Sequence, residues 1–220
     1  MAPVALGLRA SFEVKTMVDV RRLGHVAYGE ALDMMKALQR QRISDDIPDT
    51  LLMLEHPEVV TIGPRARSDG LVPPSDYKVH DVDRGGGLTW HGPGQIVCYP
   101  IVKWGDRASE NSVADIISII EDWVIDALAE FGIQGARDER MQGVWVDGHK
   151  ICSIGLSFLR WVSRHGFTVN LNTPAGRVER VAGCGLSTDT TTSLASLGHD
   201  VNQAAFEETL LGIVQTYLGR

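Results

Sequence analysis

Residues 84–100 read RGGGLTWHGPGQIVCYP, which places three consecutive glycines before a run of strand-forming residues. Strand-forming residues stand on both sides of HGPG at 91–94, which predicts two extended segments joined by a tight turn. Glycine normally weakens a strand, so the three glycines before the first segment indicate backbone with positive φ or in very close contact with another group. A glycine-rich surface hairpin is the alternative, and this stretch alone leaves both interpretations open.

The composition limits the classes of protein to which the chain can belong. A length of 220 residues with 44% hydrophobic residues suits one globular domain, which we expect at 17–220 after a disordered N-terminal extension at 1–16. A net charge of −7 argues against nucleic-acid binding, and no apolar run is long enough for a membrane span. The three cysteines contain no CxxC pair and the seven histidines are scattered, so we expect a reducing compartment and no metal site.

Apolar periodicity predicts an α+β domain, a mixed β-sheet flanked by helices, because strands and helices do not alternate regularly. The predicted strands lie at 18–23, 50–55, 59–62, 143–146, 150–158 and 161–171, and the predicted helices at 28–42, 111–131 and 202–218. Asp147-Gly148 predicts a hairpin turn, and residues 63–77 predict a long loop.

Two helix ends carry more detailed predictions. Ser112 and Asp115 resemble a capping box, and the buried stripe of that helix is predicted to begin at Val113. Asp200 is the predicted N-cap of the last helix.

The three cysteines differ in their surroundings. Cys98 and Cys152 lie in apolar strands and are predicted to be small core residues. Cys184 lies between Gly183 and Gly185, where flanking glycines suit an open sulfur and N–H groups that face a ligand. It is therefore a candidate nucleophile with an adjacent oxyanion hole, and a structural cysteine in a glycine turn is the alternative.

A nucleophilic cysteine needs a base or a positive neighbour, and His91, His165 and Lys150 are the candidates. Lys150 follows a hairpin turn, where a lysine is usually a solvated surface residue. Held against an apolar pocket, however, a lysine loses proton affinity and can accept a thiol proton. Spacing does not choose among the three.

Four motifs in this order carry a family resemblance: RGGGLTWHGPGQIVCYPI, GVWVDGHKICSIGL, HGFTVNLNT and GCGL. They resemble the lipoyl(octanoyl) transferases over roughly residues 20–198. The resemblance implies the fold of biotin and lipoate protein ligase catalytic domains.

The resemblance also implies roles for individual residues. Cys184 would carry the acyl group and Lys150 would be its base. One departure from the family pattern is Gly183, where the family usually has proline. Glycine in place of proline would loosen this loop. The residues that would line the acyl-substrate site are Arg84, Gly85, Gly86, Gly87, Leu88, Thr89, Trp90, His91, Ser153, Ile154, Gly155, Gly166, Phe167 and Thr168.

The activity that the resemblance implies is transfer of octanoyl from octanoyl-acyl carrier protein to a lysine of a lipoyl domain, through a cysteine thioester. This is the first step of lipoate biosynthesis. The implied acceptors are lipoyl domains of 2-oxoacid dehydrogenase E2 subunits and the glycine-cleavage H protein. No cofactor is implied, and we expect a cytoplasmic monomer, mitochondrial only in a eukaryote. The alternatives are an octanoyl amidotransferase between lipoyl domains, an ATP-dependent lipoate-protein ligase and a non-catalytic lipoyl-domain binding module.

Overall fold

The computed structural model describes residues 17–181, 187, 188 and 190–219. Residues 1–16, predicted to be a disordered extension, and Cys184 lie outside this part of the chain. The described residues form nine strands and five α-helices: β1 (Asp19–His25), α1 (Tyr28–Ile43), β2 (Thr50–Glu55), β3 (Val59–Ile62), α2 (Pro64–Ser68), β4 (Val79–Asp81), β5 (Leu88–His91), β6 (Gln95–Ile101), α3 (Val113–Ala129), β7 (Val144–Val146), β8 (His149–Leu159), β9 (Val162–Asn170), α4 (Gln203–Gly212) and α5 (Val214–Tyr217).

Six of these strands form the larger sheet, in the order β1-β2-β6-β9-β8-β7. β1 and β2 run parallel, and all other neighbours run antiparallel. The sheet is mixed and carries helices on both faces, so the predicted α+β class is confirmed. No helix of the described chain is both long and apolar enough to cross a membrane.

Strand β6 shows how the larger sheet separates two cores. Ile96 and Cys98 belong to the core that contains residues of α3 and α4, whereas Val97 and Tyr99 belong to the core beneath α1. This alternation follows from the period of two along a strand, and it places a continuous apolar strand at the centre of the fold.

The smaller sheet has the order β4-β3-β5 and has its own apolar cluster, which includes Val60, Trp90 and Val178. β5 pairs with β3, whereas β6 pairs with β2 and β9. The hairpin interpretation of residues 84–100 is therefore wrong, because its two extended segments lie in different sheets. The turn between them joins the two sheets and brings the glycine run to their junction.

Most other local predictions are confirmed. β2 and β3 have the predicted bounds, and Asp147 and Gly148 adopt φ angles of 50° and 77° in the predicted hairpin turn. The Ser112 hydroxyl accepts a hydrogen bond from the Asp115 N–H at 3.1 Å, as expected of an N-cap.

Three predictions about loops and helix ends are wrong. The predicted loop at 63–77 contains α2, whose first residue is a proline in the position where helices tolerate it best. The single helix predicted at 202–218 is divided at Ile213, directly after Gly212, a residue of low helix propensity. Its N-cap is Asn202, which accepts from the Ala205 N–H at 3.0 Å, and not Asp200.

Candidate active site

A cavity of about 280 Å³ lies between the smaller sheet, β8 and the first turns of α3. It follows β8 from Lys150 to Leu156, which is about 20 Å of extended strand. Val113 borders this cavity and is 44% exposed, so its predicted place in the buried stripe is wrong. The full lining is Arg65, 84–90, Gln95, Val113, Ile117, Met141, Gln142, Lys150, 153–156, Val178, Val181 and Thr191.

The residues predicted for the substrate site divide between this cavity and a smaller pocket. Residues 84–90 and 153–155 line the cavity together with Lys150. His91, Gly166, Phe167 and Thr168 line an adjacent pocket of about 20 Å³, large enough for about one water molecule. The two spaces share Arg84, Thr89 and residues 153–155, so the predicted set lies around one region of the fold. The role of these residues in substrate binding stays a prediction.

The glycine run forms the cavity wall by packing backbone against backbone. A Cβ on Gly63 would lie 2.2 Å from the carbonyl oxygen of Gly86, which adopts a φ of 94°. On the other side, Gly85 donates a backbone hydrogen bond to the Leu156 carbonyl at 2.9 Å. A Cβ on Gly155 of β8 would lie 2.9 Å from the Gly85 carbonyl oxygen, so a side chain there would push β8 away from the glycine run.

Arg84 is buried and holds the same wall together. Its Nη2 donates to Thr61 Oγ1 at 2.7 Å and to the Gly87 carbonyl at 3.0 Å, and its Nη1 donates to the Gly85 carbonyl at 3.0 Å. Hydrogen bonds from a charged group are stronger than neutral ones. Arg84 therefore shapes the cavity from inside the wall.

Lys150 is 5% exposed, so the solvated-surface interpretation is wrong. A Cβ at Gly143 would lie 2.7 Å from Lys150 Cε, which means that glycine provides the room for the lysine stem. The Lys150 N–H donates to the Thr190 carbonyl at 2.9 Å, and its carbonyl accepts from the Thr192 N–H at 3.0 Å. Residues 190–192 therefore pair with the start of β8 at the lysine.

The other two candidate bases line the smaller pocket, which Lys150 does not line. His165 Nε2 lies 3.1 Å from Asp83 Oδ1, and burial lowers the pKa of His165 to about 4. His91 Nδ1 lies 2.9 Å from Gln95 Oε1, and burial lowers its pKa well below the usual value. Of the three candidates, Lys150 is the one that lines the larger cavity.

Cys98 and Cys152 are core residues, as predicted. Both are fully buried, and burial raises the pKa of Cys152 to about 12 and that of Cys98 well above the usual value. Since the thiolate is the reactive form, neither thiol is suited to act as a nucleophile.

A buried group of histidines and tyrosines lies next to the smaller pocket and was not predicted from the sequence. His56 Nε2 lies 2.8 Å from the Tyr99 hydroxyl, and the rings of His56 and His91 meet edge-on at 5.5 Å. Tyr28 lies over both histidines, with ring centroids at 5.1 and 5.7 Å. The available signal was His56 at the end of an apolar strand, although its partners are far away in sequence. The described residues contain no group of three or more His, Cys, Asp or Glu side chains placed to hold a metal ion.

The buried histidines predict a loss of stability in mild acid. Burial lowers the pKa of both His56 and His165 from 6.5 to about 4. Between pH 6.5 and 4 the unfolded chain binds protons at these sites and the folded chain does not, so stability falls as the pH falls through this window. Each histidine lowers the free energy of unfolding by about 3 kcal/mol when the pH falls from 6.5 to 4.

Urea denaturation at pH 7 and pH 5 measures this effect. His56→Gln is expected to be less stable at pH 7 and to have a flatter pH dependence, and His25→Gln, at an exposed position outside this group, serves as the control. Equal stability of the wild-type protein at both pH values would contradict the prediction.

The chain is similar to enzymes of protein lipoylation. The family model described as lipoyl protein ligase A/B catalytic domain matches residues 27–215. The octanoyltransferase of Rubrobacter xylanophilus is 41% identical over 217 residues, 94% of this chain and 96% of that protein. The octanoyltransferase of Corynebacterium glutamicum is 38% identical over 84% of this chain and 74% of its own length.

Solved structures with the same fold share little sequence with the chain. A lipoate-protein ligase A bound with ATP has a TM-score of 0.65 at 12% identity, covering 92% of this chain and 86% of that one. A biotin protein ligase from Aquifex aeolicus has a TM-score of 0.54 at 11% identity, covering 91% and 68%. These structures agree with the predicted ligase-type catalytic fold.

Proposed function

The chain belongs to the lipoyl protein ligase A/B catalytic-domain family, and we propose that it is an octanoyltransferase that moves octanoyl from octanoyl-acyl carrier protein to a lysine of a lipoyl domain. The observation that carries the proposal is one elongated cavity with a buried lysine in its wall. The cavity has apolar wall residues along its length, including Ile117, Ile154 and Leu156. Such a space suits a medium-length acyl chain whose reacting end lies at Lys150.

The first half-reaction forms the acyl-enzyme. Lys150 accepts the proton of the Cys184 thiol, and the thiolate attacks the thioester carbonyl of the donor. The new carbon–sulfur bond forms at Cys184 and the bond to the carrier thiol breaks. Lys150 then gives its proton to the departing thiolate, so the lysine ends neutral.

The second half-reaction forms the amide. The acceptor lysine attacks the octanoyl-cysteine as a neutral amine, and Lys150 accepts the proton that the new amide releases. Cys184 leaves as a thiolate and is reprotonated by Lys150. Because the donor thioester is already activated, neither half-reaction consumes ATP.

The choice of partners rests on the relatives. A solved relative is a bipartite lipoate protein ligase from Thermoplasma acidophilum studied with its E2 lipoyl domain, which supports lipoyl domains as acceptors here. We propose the E2 lipoyl domains and the glycine-cleavage H protein as the acceptor classes. We also propose a reducing, cytoplasmic location, which the free thiols of Cys98 and Cys152 support.

A transfer assay without ATP tests the function. The protein is incubated with octanoyl-acyl carrier protein and a lipoyl domain, and the mass of the lipoyl domain is measured by intact mass spectrometry. We expect an octanoyl amide on the lipoyl domain without ATP, and little product from free octanoate with ATP.

The other outcomes identify the alternatives. A strict requirement for ATP would make the protein a ligase of the kind that the ATP-bound structure represents. Transfer from an octanoylated lipoyl domain, with none from the carrier protein, would make it an amidotransferase. Binding of the lipoyl domain without transfer would leave a binding module.

A further inference from the structure

Thr192 is buried beside the cavity, and every polar group it carries is engaged. Its N–H donates to the Lys150 carbonyl at 3.0 Å, and its carbonyl accepts from Asn170 Nδ2 at 2.9 Å. Its hydroxyl donates to Glu179 Oε1 at 2.8 Å. One residue thus connects three separate parts of the chain.

The bond to Glu179 joins two segments that border residues 182–186. Glu179 precedes these residues and Thr192 follows them, so the hydroxyl–carboxylate bond ties the two flanks together. On the Glu179 side, Val178 and Val181 line the cavity, and on the Thr192 side Thr191 does so. The residues that flank 182–186 are therefore joined by a hydrogen bond to a carboxylate, which is stronger than a hydrogen bond between neutral groups.

The bond to Asn170 connects Thr192 to the cavity wall. Asn170 Oδ1 accepts from Gln95 Nε2 at 2.8 Å, and the same nitrogen donates to the Trp90 carbonyl at 2.9 Å. Trp90 and Gln95 both line the cavity, and Gln95 and Asn170 are buried. Any shift of Thr192 would therefore also leave buried polar groups without partners, which is costly.

We propose that Thr192 is a positioning residue for acyl transfer: held by Glu179 and Asn170, it fixes the backbone of Lys150 against residues 190–192. The inference rests on the proposed function, because it assigns Lys150 a part in the reaction. Thr192 acts through Lys150 and through the flanks of the segment. Its loss disturbs the geometry of the reaction more than the binding of either substrate.

Removal of the hydroxyl alone tests the proposal. Thr192→Val keeps the shape of the side chain and the two backbone bonds but loses the bond to Glu179. We expect kcat to fall by about 10- to 100-fold, with KM for octanoyl-acyl carrier protein within about 3-fold, because misplaced reacting groups cost rate before they cost binding. Thr192→Ser keeps the hydroxyl and is expected to retain most of the activity.

Ser196→Ala is the matched control. The Ser196 hydroxyl contacts the same carboxylate oxygen of Glu179 at 3.4 Å from an exposed position, so its removal is expected to leave kcat unchanged. The second readout is the pH profile of Cys184 alkylation by iodoacetamide. The alkylation is carried out on the folded protein below its melting temperature, and peptide mapping then quantifies the modified Cys184. In Thr192→Val the midpoint of this profile is expected to move to higher pH.

Three results would overturn the proposal. Thr192→Val could keep the wild-type kcat and alkylation profile, Thr192→Ser could lose as much activity as Thr192→Val, or the loss of kcat could follow the folded fraction while the alkylation profile stays unchanged. The alkylation comparison needs no octanoyl substrate. It therefore still tests Thr192 if the wild-type protein transfers no octanoyl group, a result that would contradict the proposed function instead.

Discussion

Cys184→Ser is expected to abolish the covalent octanoyl adduct and to lower transfer on the order of 10⁴-fold or more. A serine hydroxyl is far less ionised than a thiol at neutral pH, so it is a much weaker nucleophile than the thiolate that it replaces. The measurement is intact mass spectrometry after incubation with octanoyl-acyl carrier protein in the absence of an acceptor. Peptide mapping then locates the acyl group.

The other two cysteines provide the controls. Cys152 is two residues from Lys150 and is the thiol that a misassigned mechanism would choose, yet it is fully buried with a pKa raised to about 12. Cys98→Ala and Cys152→Ala are therefore expected to keep the adduct and most of the transfer, with a modest loss of stability from the small cavity left behind. An acyl group mapped to Cys98 or Cys152, or a fully active Cys184→Ser protein, would contradict the mechanism.

The elements of the fold were largely predictable because their signals are local. Alternation and apolar runs located β2 and β3, and Asp147-Gly148 located the β7–β8 hairpin. The pairing of β5 with β3 was not predictable, because adjacent strands joined by a short turn usually pair with each other. Here β6 pairs with β2 and β9, which are distant in sequence, so both of its edges are occupied and β5 pairs with β3 instead.

The residues of the candidate site that lie in sequence motifs were predictable. The features of the site that depend on contacts between distant residues were not. The motifs around Arg84 and Ser153 place those residues in one cavity wall. The burial of Lys150 depends on the close approach of Gly143 and on pairing with residues 190–192, neither of which a spacing reveals. The histidine–tyrosine group depends on contacts such as His56 with Tyr99, which are 43 residues apart. Such groups leave no periodic signal.

Lys150→Ala is expected to lower kcat by about 10²- to 10⁴-fold, the usual contribution of a positioned general base. The fold should persist, because the bonds that tie Lys150 to Thr190 and Thr192 use its backbone and not its side chain. Lys150→Arg keeps the positive charge but does not release a proton at neutral pH, so it should retain part of the thiolate and lose proton transfer. Lys103→Ala removes a lysine that pairs with Asp45 on the exposed surface, and it is expected to leave kcat unchanged.

The pH profile of Cys184 alkylation separates the effect of the Lys150 charge from its work as a base. A positive neighbour favours the thiolate, so Lys150→Ala should move the alkylation midpoint to higher pH, whereas Lys150→Arg should move it less. Transfer should be strongly slowed in both variants, because neither can accept and return the proton in the two half-reactions. His165→Ala is expected to leave the midpoint unchanged, since His165 lines the smaller pocket and is bonded to Asp83. If Lys150→Ala leaves the midpoint in place while His165→Ala moves it, the base is His165 and the assignment of Lys150 is wrong.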